Sequence, residues 1–252
     1  MFALSLGSGM AQSSITEQHS GGERAQNPYA PMEAPASAVS RTPRDPSHAF
    51  AACESCDLGR YYLAMIEQTE NLTNHFLIAM PGMADPFFAK TVTYLCQHNA
   101  DGALGIIVNR PSELTMKDIM QQMNIEVRQV AVGKMPIYFG GPVQPERGFV
   151  LHEPLGQWDS TLNVSEAIAL TTSRDILEAL SIGKGPQRVL VALGYAGWGR
   201  GQLEREMAEN AWLSAPADQS IIFDHPSSHR WKAAAELMGV DISLLSSQAG
   251  HG

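Results

Sequence analysis

From His75 onward the hydrophobic residues come in short blocks divided by turn-forming clusters, a pattern of short strands and short helices. His75 to Met80 predicts a buried strand stopped by Pro81-Gly82, and Asp85-Pro86 opens a short turn carrying Phe87 and Phe88. Thr91 to His98 and Ala103 to Asn109 predict a strand pair, because the intervening Asn99-Ala100-Asp101-Gly102 tolerates the positive φ angles of a tight hairpin. Arg110-Pro111 stops the second strand. Thr115 to Asp118 has the form of a capping box, so a short helix is predicted to about Met123, with Ile119, Met120 and Met123 on one face.

Pro136 to Phe139 predicts a strand ending at Gly140-Gly141-Pro142, and Gly148 to His152 predicts another. The pattern from Asn163 to Leu170 is ambiguous and fits one or two strands. Thr172-Ser173-Arg174-Asp175 then predicts a capped helix from Asp175 to Leu180, closed by Gly183. Arg188 to Leu193 is the nearly continuous apolar run of a strand buried on both faces. A glycine-rich turn from Gly194 to Gln202 follows, then a helix from Gln202 to Trp212, a strand from Ser220 to Phe223 and a last helix from Ser228 to Met238, ended by Gly239. The first half is hairpin-rich and the second alternates strand and helix, which implies an α+β or mixed α/β layer fold.

Composition divides the chain. Between His19 and His48 there is no Leu, Ile, Phe or Trp, and proline, serine, alanine and glycine dominate residues 1–64. Such a segment cannot bury enough apolar surface to offset its ordering entropy, so residues 1–64 are expected to be a disordered extension and residues 65–252 one domain. Met1 to Leu6 is too short an apolar run for an export signal, and the longest apolar runs elsewhere are strand-sized. The expectation is a cytoplasmic protein without membrane contact.

Seventeen Lys plus Arg against twenty-six Asp plus Glu give a formal charge of −9. The acidic excess repels phosphate backbones, and basic clusters are missing, so direct nucleic-acid binding is not expected. Three cysteines are too few for a disulfide framework. Cys53 and Cys56 form a C-x-x-C in the extension without a second ligand pair, and Cys96 reads as a small buried hydrophobe.

Candidate chemistry concentrates at two glycine-rich places. Gly194, Trp198 and Gly201 lie where a strand gives way to a helix, and exposed N–H groups at such a junction can hold an anion. Against this, no Lys followed by Ser or Thr makes a P-loop, and Glu204 and Glu206 already sit near the positive helix end. The other reading is a tight turn packed around Trp198. Gly140 and Gly141 could cradle a ligand or permit backbone crowding at a strand end. Of the histidines, His225 and His229 have i, i+4 spacing, but Pro226 intervenes and no H-E-x-x-H occurs, so no metal site is expected. His98 is the better small-molecule contact. Arg174 either binds an anion or pairs with a neighbouring carboxylate. No G-x-S-x-G occurs, and neither a complete active site nor a cofactor site can be read from the local sequence.

Several of these segments together carry a resemblance. They are Leu72 to Pro81 with Asp85-Pro86-Phe87, His98-Asn99 with Gly102, and Gly105 to Asn109. Gly140-Gly141-Pro142, Arg147 to His152, Thr171 to Asp175 and Val191 to Tyr195 continue it. Trp198, Gly201 to Glu204, Asn210 to Leu213, Ala215 to Asp218 and Ala249-Gly250-His251 complete it. From about Asn71 the chain resembles the AlgH/YqgE family of bacterial cytoplasmic proteins. The resemblance implies an α+β domain with a mixed, mostly antiparallel, bifurcated or barrel-like sheet flanked by helices. It also implies a domain that begins shortly before Leu72, with residues 1–64 outside the pattern and Met65 as a start. In the family pattern Gly194, Trp198 and Gly201 are retained but Gly197 and Gly199 are not required, which favours the packed turn. Family members carry a transcriptional-regulator label from an association with alginate production, and the resemblance supplies no catalytic residues.

The expectation is a non-enzymatic regulatory protein acting through an unidentified protein partner or small ligand. The alternative is an enzyme or ligand-responsive domain whose pocket gathers His98, Asn109, Gly140, Gly141 and Arg174 from strand ends and helix starts.

Overall fold

The computed structural model describes residues 71–240. Residues 1–64, the Cys53–Cys56 pair, Met65 and the Ala249-Gly250-His251 segment lie outside the described residues. The elements run β1 (His75–Ala79), β2 (Val92–Asn99), β3 (Gly102–Ile107), β4 (Pro111–Thr115), α1 (Met116–Gln122), α2 (Val130–Gly133), β5 (Pro136–Phe139) and β6 (Val143–Glu153). They continue with β7 (Thr161–Asn163), β8 (Ala169–Thr171), α3 (Asp175–Ser181), β9 (Arg188–Gly199), α4 (Gln202–Ala208), β10 (Trp212–Pro216), α5 (Gln219–Phe223) and α6 (Ser227–Glu236).

Strand order is β10-β1-β2-β3-β9-β6-β8-β7, with β4 and β5 branching off as a second arm that joins β9. Every pairing is antiparallel except β5 with β9, where Ile137, Tyr138 and Phe139 run parallel to Val191, Ala192 and Leu193. The sheet curls into a half-barrel and bifurcates at β9, as expected of a mixed, mostly antiparallel α+β domain. The first half of β9 lies between β5 and β6, and its second half pairs with β3. Strand β9 is therefore the spine of the fold.

Period-2 alternation distributes its side chains among three cores. Leu190 and Ala192 join the core under Ile221 and Ile222 of α5 and Ala234 and Ala235 of α6. Val191 faces the opposite core, built on Met116 and Ile119 of α1 and Ile176 and Leu177 of α3. Farther along, Ala196 and Trp198 pack with Leu203 of α4, Leu77 and Ala79 of β1 and Trp212 of β10. Strand β1 alternates in the same way, with Phe76 and Ile78 on one side and Leu77 and Ala79 on the other. Burying each large apolar side chain contributes about 1.5–3 kcal/mol, so strands buried on both faces secure the fold without long helices.

Several predicted elements need correction. The stretch from Gly194 to Gly199 is strand, not turn, and the turn shrinks to Arg200 and Gly201. The helix predicted from Gln202 to Trp212 ends at Ala208, because Asn210 adopts a left-handed conformation (φ 57°) and Trp212 opens a strand against β1. Ser220 to Phe223 is helical. The Asp218 side chain accepts the Ser220 N–H as an N-cap, and a four-residue apolar run cannot be told from a buried helix by periodicity. Pro111 opens β4 instead of ending a strand, as proline can on an edge strand. The other predicted strands and helices occur within a few residues of the expected bounds, and the hairpin at Asn99 to Gly102 pairs as predicted.

Candidate functional site

The two glycine-rich segments meet at the bifurcation. A side chain on Gly140 would place its Cβ 2.3 Å from the Gly194 carbonyl oxygen, and one on Gly194 would come 2.4 Å from that of Gly141. Gly141 (φ 154°) lies against the Tyr195–Ala196 peptide, and both it and Gly194 (φ 73°) have backbone geometries that favour glycine. These glycines let β5 and β6 leave and join β9 at nearly the same point. Their Cα faces are filled by backbone, so they offer no cradle there. Gly102, across the hairpin, likewise abuts the Trp198 carbonyl.

Trp198 belongs to an aromatic cluster organised by one carboxylate. Its indole N–H donates to Glu206 Oε2 at 2.9 Å, the Trp212 indole N–H donates to the same oxygen at 2.9 Å, and Gln202 Nε2 donates to Oε1 at 2.9 Å. Phe88 completes the cluster, edge-on to Trp212 with ring centroids 5.4 Å apart. Gly201 (φ 68°) is the left-handed residue from which α4 starts, and Gln202 Oε1 accepts the Gly199 N–H at 3.1 Å. The start of α4 is thus occupied by its own side chains. Glu206, read in the sequence as a competitor for an anion, is the acceptor that joins the two tryptophans.

His98 is buried and doubly bonded. Its Nδ1 accepts the Leu72 N–H at 3.0 Å, which leaves Nε2 protonated and donating to Glu204 Oε1 at 3.0 Å. Asn109 accepts the Val92 N–H and donates to the Lys90 carbonyl, both at 2.9 Å, pinning the entry to β2 at the end opposite His98. Arg174 precedes α3 and pairs with Glu178 at 2.7 Å. Of the residues of the proposed composite pocket, Asn109 lies beside Gly140 and Gly141, because the Ile107 N–H donates to the Gly140 carbonyl at 2.9 Å and the Phe139 N–H to the Arg110 carbonyl at 2.8 Å, whereas His98 lies at the other end of β2 and Arg174 at the start of α3.

Other reactive side chains are also bound into the fold. His152, fully buried, bonds to the Pro154 carbonyl through Nδ1 at 3.1 Å, so Nε2 accepts the Thr171 hydroxyl at 2.9 Å. Burial holds its pKa below the usual histidine value. Cys96 is buried, and desolvation pushes its thiol pKa well up, away from nucleophilic thiolate. Buried Arg230 donates through Nε to the His225 carbonyl at 2.9 Å and through Nη1 to the Val108 carbonyl, with its guanidinium 5.1 Å from the Tyr138 ring centroid.

An open polar groove lies elsewhere, lined by Arg188, Asp218, Gln219, Ser220 and Asp224. Arg188, at the start of β9, pairs with Glu153 at 2.7 Å and with Asp224 while stacking on Phe223. Sequence reasoning missed this groove, since its groups come from segments 153, 188 and 218–224 and share no local motif. Among the described residues no cluster of His, Cys, Asp and Glu has the arrangement of a metal site.

The family model described as AlgH-like matches residues 76–243, nearly all of the strand and helix framework. The chain belongs to the AlgH-like family. A UPF0301 protein of Methylococcus capsulatus is 68% identical over 188 residues, covering 75% of this chain and 100% of its own. A UPF0301 protein of Nitrosococcus oceani is 57% identical, covering 71% and 95%. The solution structure of the AlgH protein from Pseudomonas aeruginosa is 49% identical with a TM-score of 0.61, covering 74% of this chain and 98% of that one. DIP2367 from Corynebacterium diphtheriae shares the fold at 20% identity, with a TM-score of 0.54 over 70% of this chain. Within this AlgH-like domain the Arg147 to His152 segment is β6 and the Gly140-Gly141-Pro142 turn leads into it, so these two carriers of the resemblance are parts of one junction with β9.

Proposed function

We propose that this AlgH-like protein is a non-enzymatic cytoplasmic regulator that acts by binding a protein partner or a small ligand, without contacting DNA directly. One observation carries the reading: the side chains with reactive potential are held in structural bonds. His98 is bonded to Leu72 and Glu204, His152 to Pro154 and Thr171, and Cys96 is enclosed. A surface suited to a protein partner remains. Val130 on α2 is 74% exposed and Ile182 after α3 is 45% exposed. The Gln129 amide packs against Gly183, which brings these two apolar residues into one neighbourhood. The formal charge of −9 opposes contact with nucleic acid.

The test is capture of partners by the tagged full chain from its own cells, alongside a Val130→Asp and Ile182→Asp double variant. A partner retained by the native chain and lost by the variant supports the reading. Sequence-specific DNA binding by the purified protein at physiological salt overturns it.

The ligand-responsive or enzymatic alternative is favoured by the groove at Arg188, which joins a strand end to the N-cap of α5. Its test is a metabolite screen by thermal shift, read against Arg188→Met.

A further inference from the structure

Cations gather on one face of an otherwise acidic chain. Residues 116–135 and 174–187, which contain α1, α2 and α3, carry five basic and four acidic side chains against a formal charge of −9 for the whole chain. The four acids are already engaged. Asp118 accepts from Thr115 in the capping box, and Asp175 accepts the Ser173 hydroxyl and the Asp159 N–H. Glu126 pairs with Arg128 and Glu178 with Arg174. What remains is Lys117, Lys134 and Lys184, three of the chain's five lysines. All three are exposed, and none forms an ion pair among the described residues.

Packing brings these lysines to the two exposed aliphatic side chains Val130 and Ile182. Gly133 seats α2 on α1, where an added Cβ would lie 3.1 Å from Val127 Cγ1 and 3.7 Å from Lys117 Cβ. Lys134 follows Gly133 and stands one helical turn beyond Val130, whose carbonyl accepts the Lys134 N–H at 3.3 Å. On the other side the Gln129 amide lies over left-handed Gly183 (φ 75°), so the start of α2 adjoins the end of α3. Ile182 and Lys184 flank that glycine, both exposed. Helix α2 itself, Val130-Ala131-Val132-Gly133, has no polar side chain, and its first two residues face solvent. The result is an aliphatic centre with lysines around it.

We propose that this face docks an acidic segment of a partner protein, which sets an aliphatic side chain against Val130 and Ile182 and its carboxylates against Lys117, Lys134 and Lys184. Charge complementarity carries the choice of partner. The lysines have no carboxylate of their own to give up on docking, and charges at the rim of an interface steer encounter and select the partner, while the apolar centre is desolvated. A second copy of the same face would set lysines against lysines about a two-fold axis. Interfacial membrane binding draws on an amphipathic helix with Trp, Phe or Leu on its apolar face, whereas here a four-residue helix presents valine and alanine. The proposal rests on the partner-binding reading above and gives that partner its chemistry.

The test is an NMR titration of the isotope-labelled full chain with a short synthetic peptide in which a leucine pair is flanked by glutamates. The amides of Val130, Ala131, Ile182 and Gly183 are expected to shift saturably, with a dissociation constant on the order of millimolar or tighter. Replacing the glutamates of the peptide by lysines, or its leucines by serines, is expected to abolish the shifts. The combined Lys117→Glu, Lys134→Glu and Lys184→Glu variant, changed only at exposed positions, is expected to weaken binding about tenfold or more, while Lys90→Glu leaves it unchanged. Absence of shifts at these amides overturns the proposal, as does equal binding of the lysine or serine peptide. Stronger broadening of the same amides by phosphatidylglycerol vesicles overturns it in favour of a membrane contact, and shifts that depend on the concentration of the chain alone overturn it in favour of a second copy. Its failure is separable from that of the reading above. A captured partner that is lost from the Val130→Asp and Ile182→Asp variant but kept by the triple lysine variant leaves the reading standing and removes the acidic partner.

Discussion

Trp198 and Trp212 meet edge-to-face at 5.9 Å and donate their indole N–H groups to the same oxygen of Glu206. One tryptophan comes from β9 and the other from β10, at opposite ends of the five-strand path β10-β1-β2-β3-β9. A single carboxylate on α4 thereby closes the curl of the sheet. Removing it leaves two buried indole N–H groups without acceptors, at about 1–3 kcal/mol each. Glu206→Ala is expected to destabilise the protein by about 2–4 kcal/mol and Glu206→Gln by less, since the amide retains one acceptor. Urea unfolding followed by tryptophan fluorescence measures both, and equal midpoints for native and Glu206→Ala chains would refute the closure.

The glycines of the bifurcation make a graded prediction. At Gly194 an added Cβ would lie 2.4 Å from a carbonyl oxygen in a left-handed backbone (φ 73°), so Gly194→Ala is expected to abolish cooperative folding. Gly201 is also left-handed (φ 68°), but its nearest neighbour would be the Arg205 guanidinium at 3.5 Å. Gly201→Ala is therefore expected to cost only the backbone term, about 1–2 kcal/mol. Gly197 has an ordinary backbone, with the Tyr195 ring at 3.2 Å from an added Cβ, and Gly197→Ala is expected to cost less again. Thermal unfolding of the three variants gives the order, and Gly194→Ala no worse than Gly197→Ala would remove the steric account.

The same residues show what local sequence can express. Apolar blocks bounded by Pro81-Gly82, Asn99 to Gly102 and Arg110-Pro111 made β1, β2 and β3 legible, because strands buried largely on both faces read as nearly continuous apolar runs. The run from Gly194 to Gly199 was misread because glycine ordinarily punctuates chains. Here its meaning depends on Gly140 and Gly141, more than fifty residues upstream, which must cross the same backbone. His98 shows the same limit. Its burial was not visible locally, since its partners Leu72 and Glu204 lie 26 residues before it and 106 after it. Arg147 sat in a legible family segment, yet the lack of an acceptor for its buried Nε–H is a property of three-dimensional packing alone.

The His98–Glu204 contact fastens α4 and the segment before β1 to the end of β2. His98 is 3% exposed at its side chain and Glu204 33%, so solvent weakens the charge-assisted bond. A double-mutant cycle with His98→Asn and Glu204→Gln is expected to give a coupling of about 1 kcal/mol. His98→Asn is itself expected to be the milder histidine variant, because its amide oxygen can replace Nδ1 as acceptor for Leu72. Strict additivity in urea unfolding would show that the two side chains do not interact in solution.

His152 predicts how stability follows pH. Its ring is enclosed by β6 and β8, Nδ1–H faces the Pro154 carbonyl and Nε2 accepts from Thr171, so both nitrogens are satisfied only in the neutral form. The folded pKa is accordingly held below the ordinary 6.5 by burial, with the Pro154 bond opposing the shift in part. The unfolded chain then binds more protons than the folded one as pH falls below about 6.5, so stability declines with acidity and levels off once pH passes below the folded pKa. Above that window the contribution is fully present. Unfolding free energies of the native chain between neutral and mildly acidic pH should fall more steeply than those of His152→Gln, which has no titrating ring. Other groups, such as the low-pKa carboxylates of Asp175 and Asp218, which accept hydrogen bonds, lose their stabilising ionisation at still lower pH in both chains. Parallel curves for the two proteins through the histidine range would place the neutral requirement elsewhere.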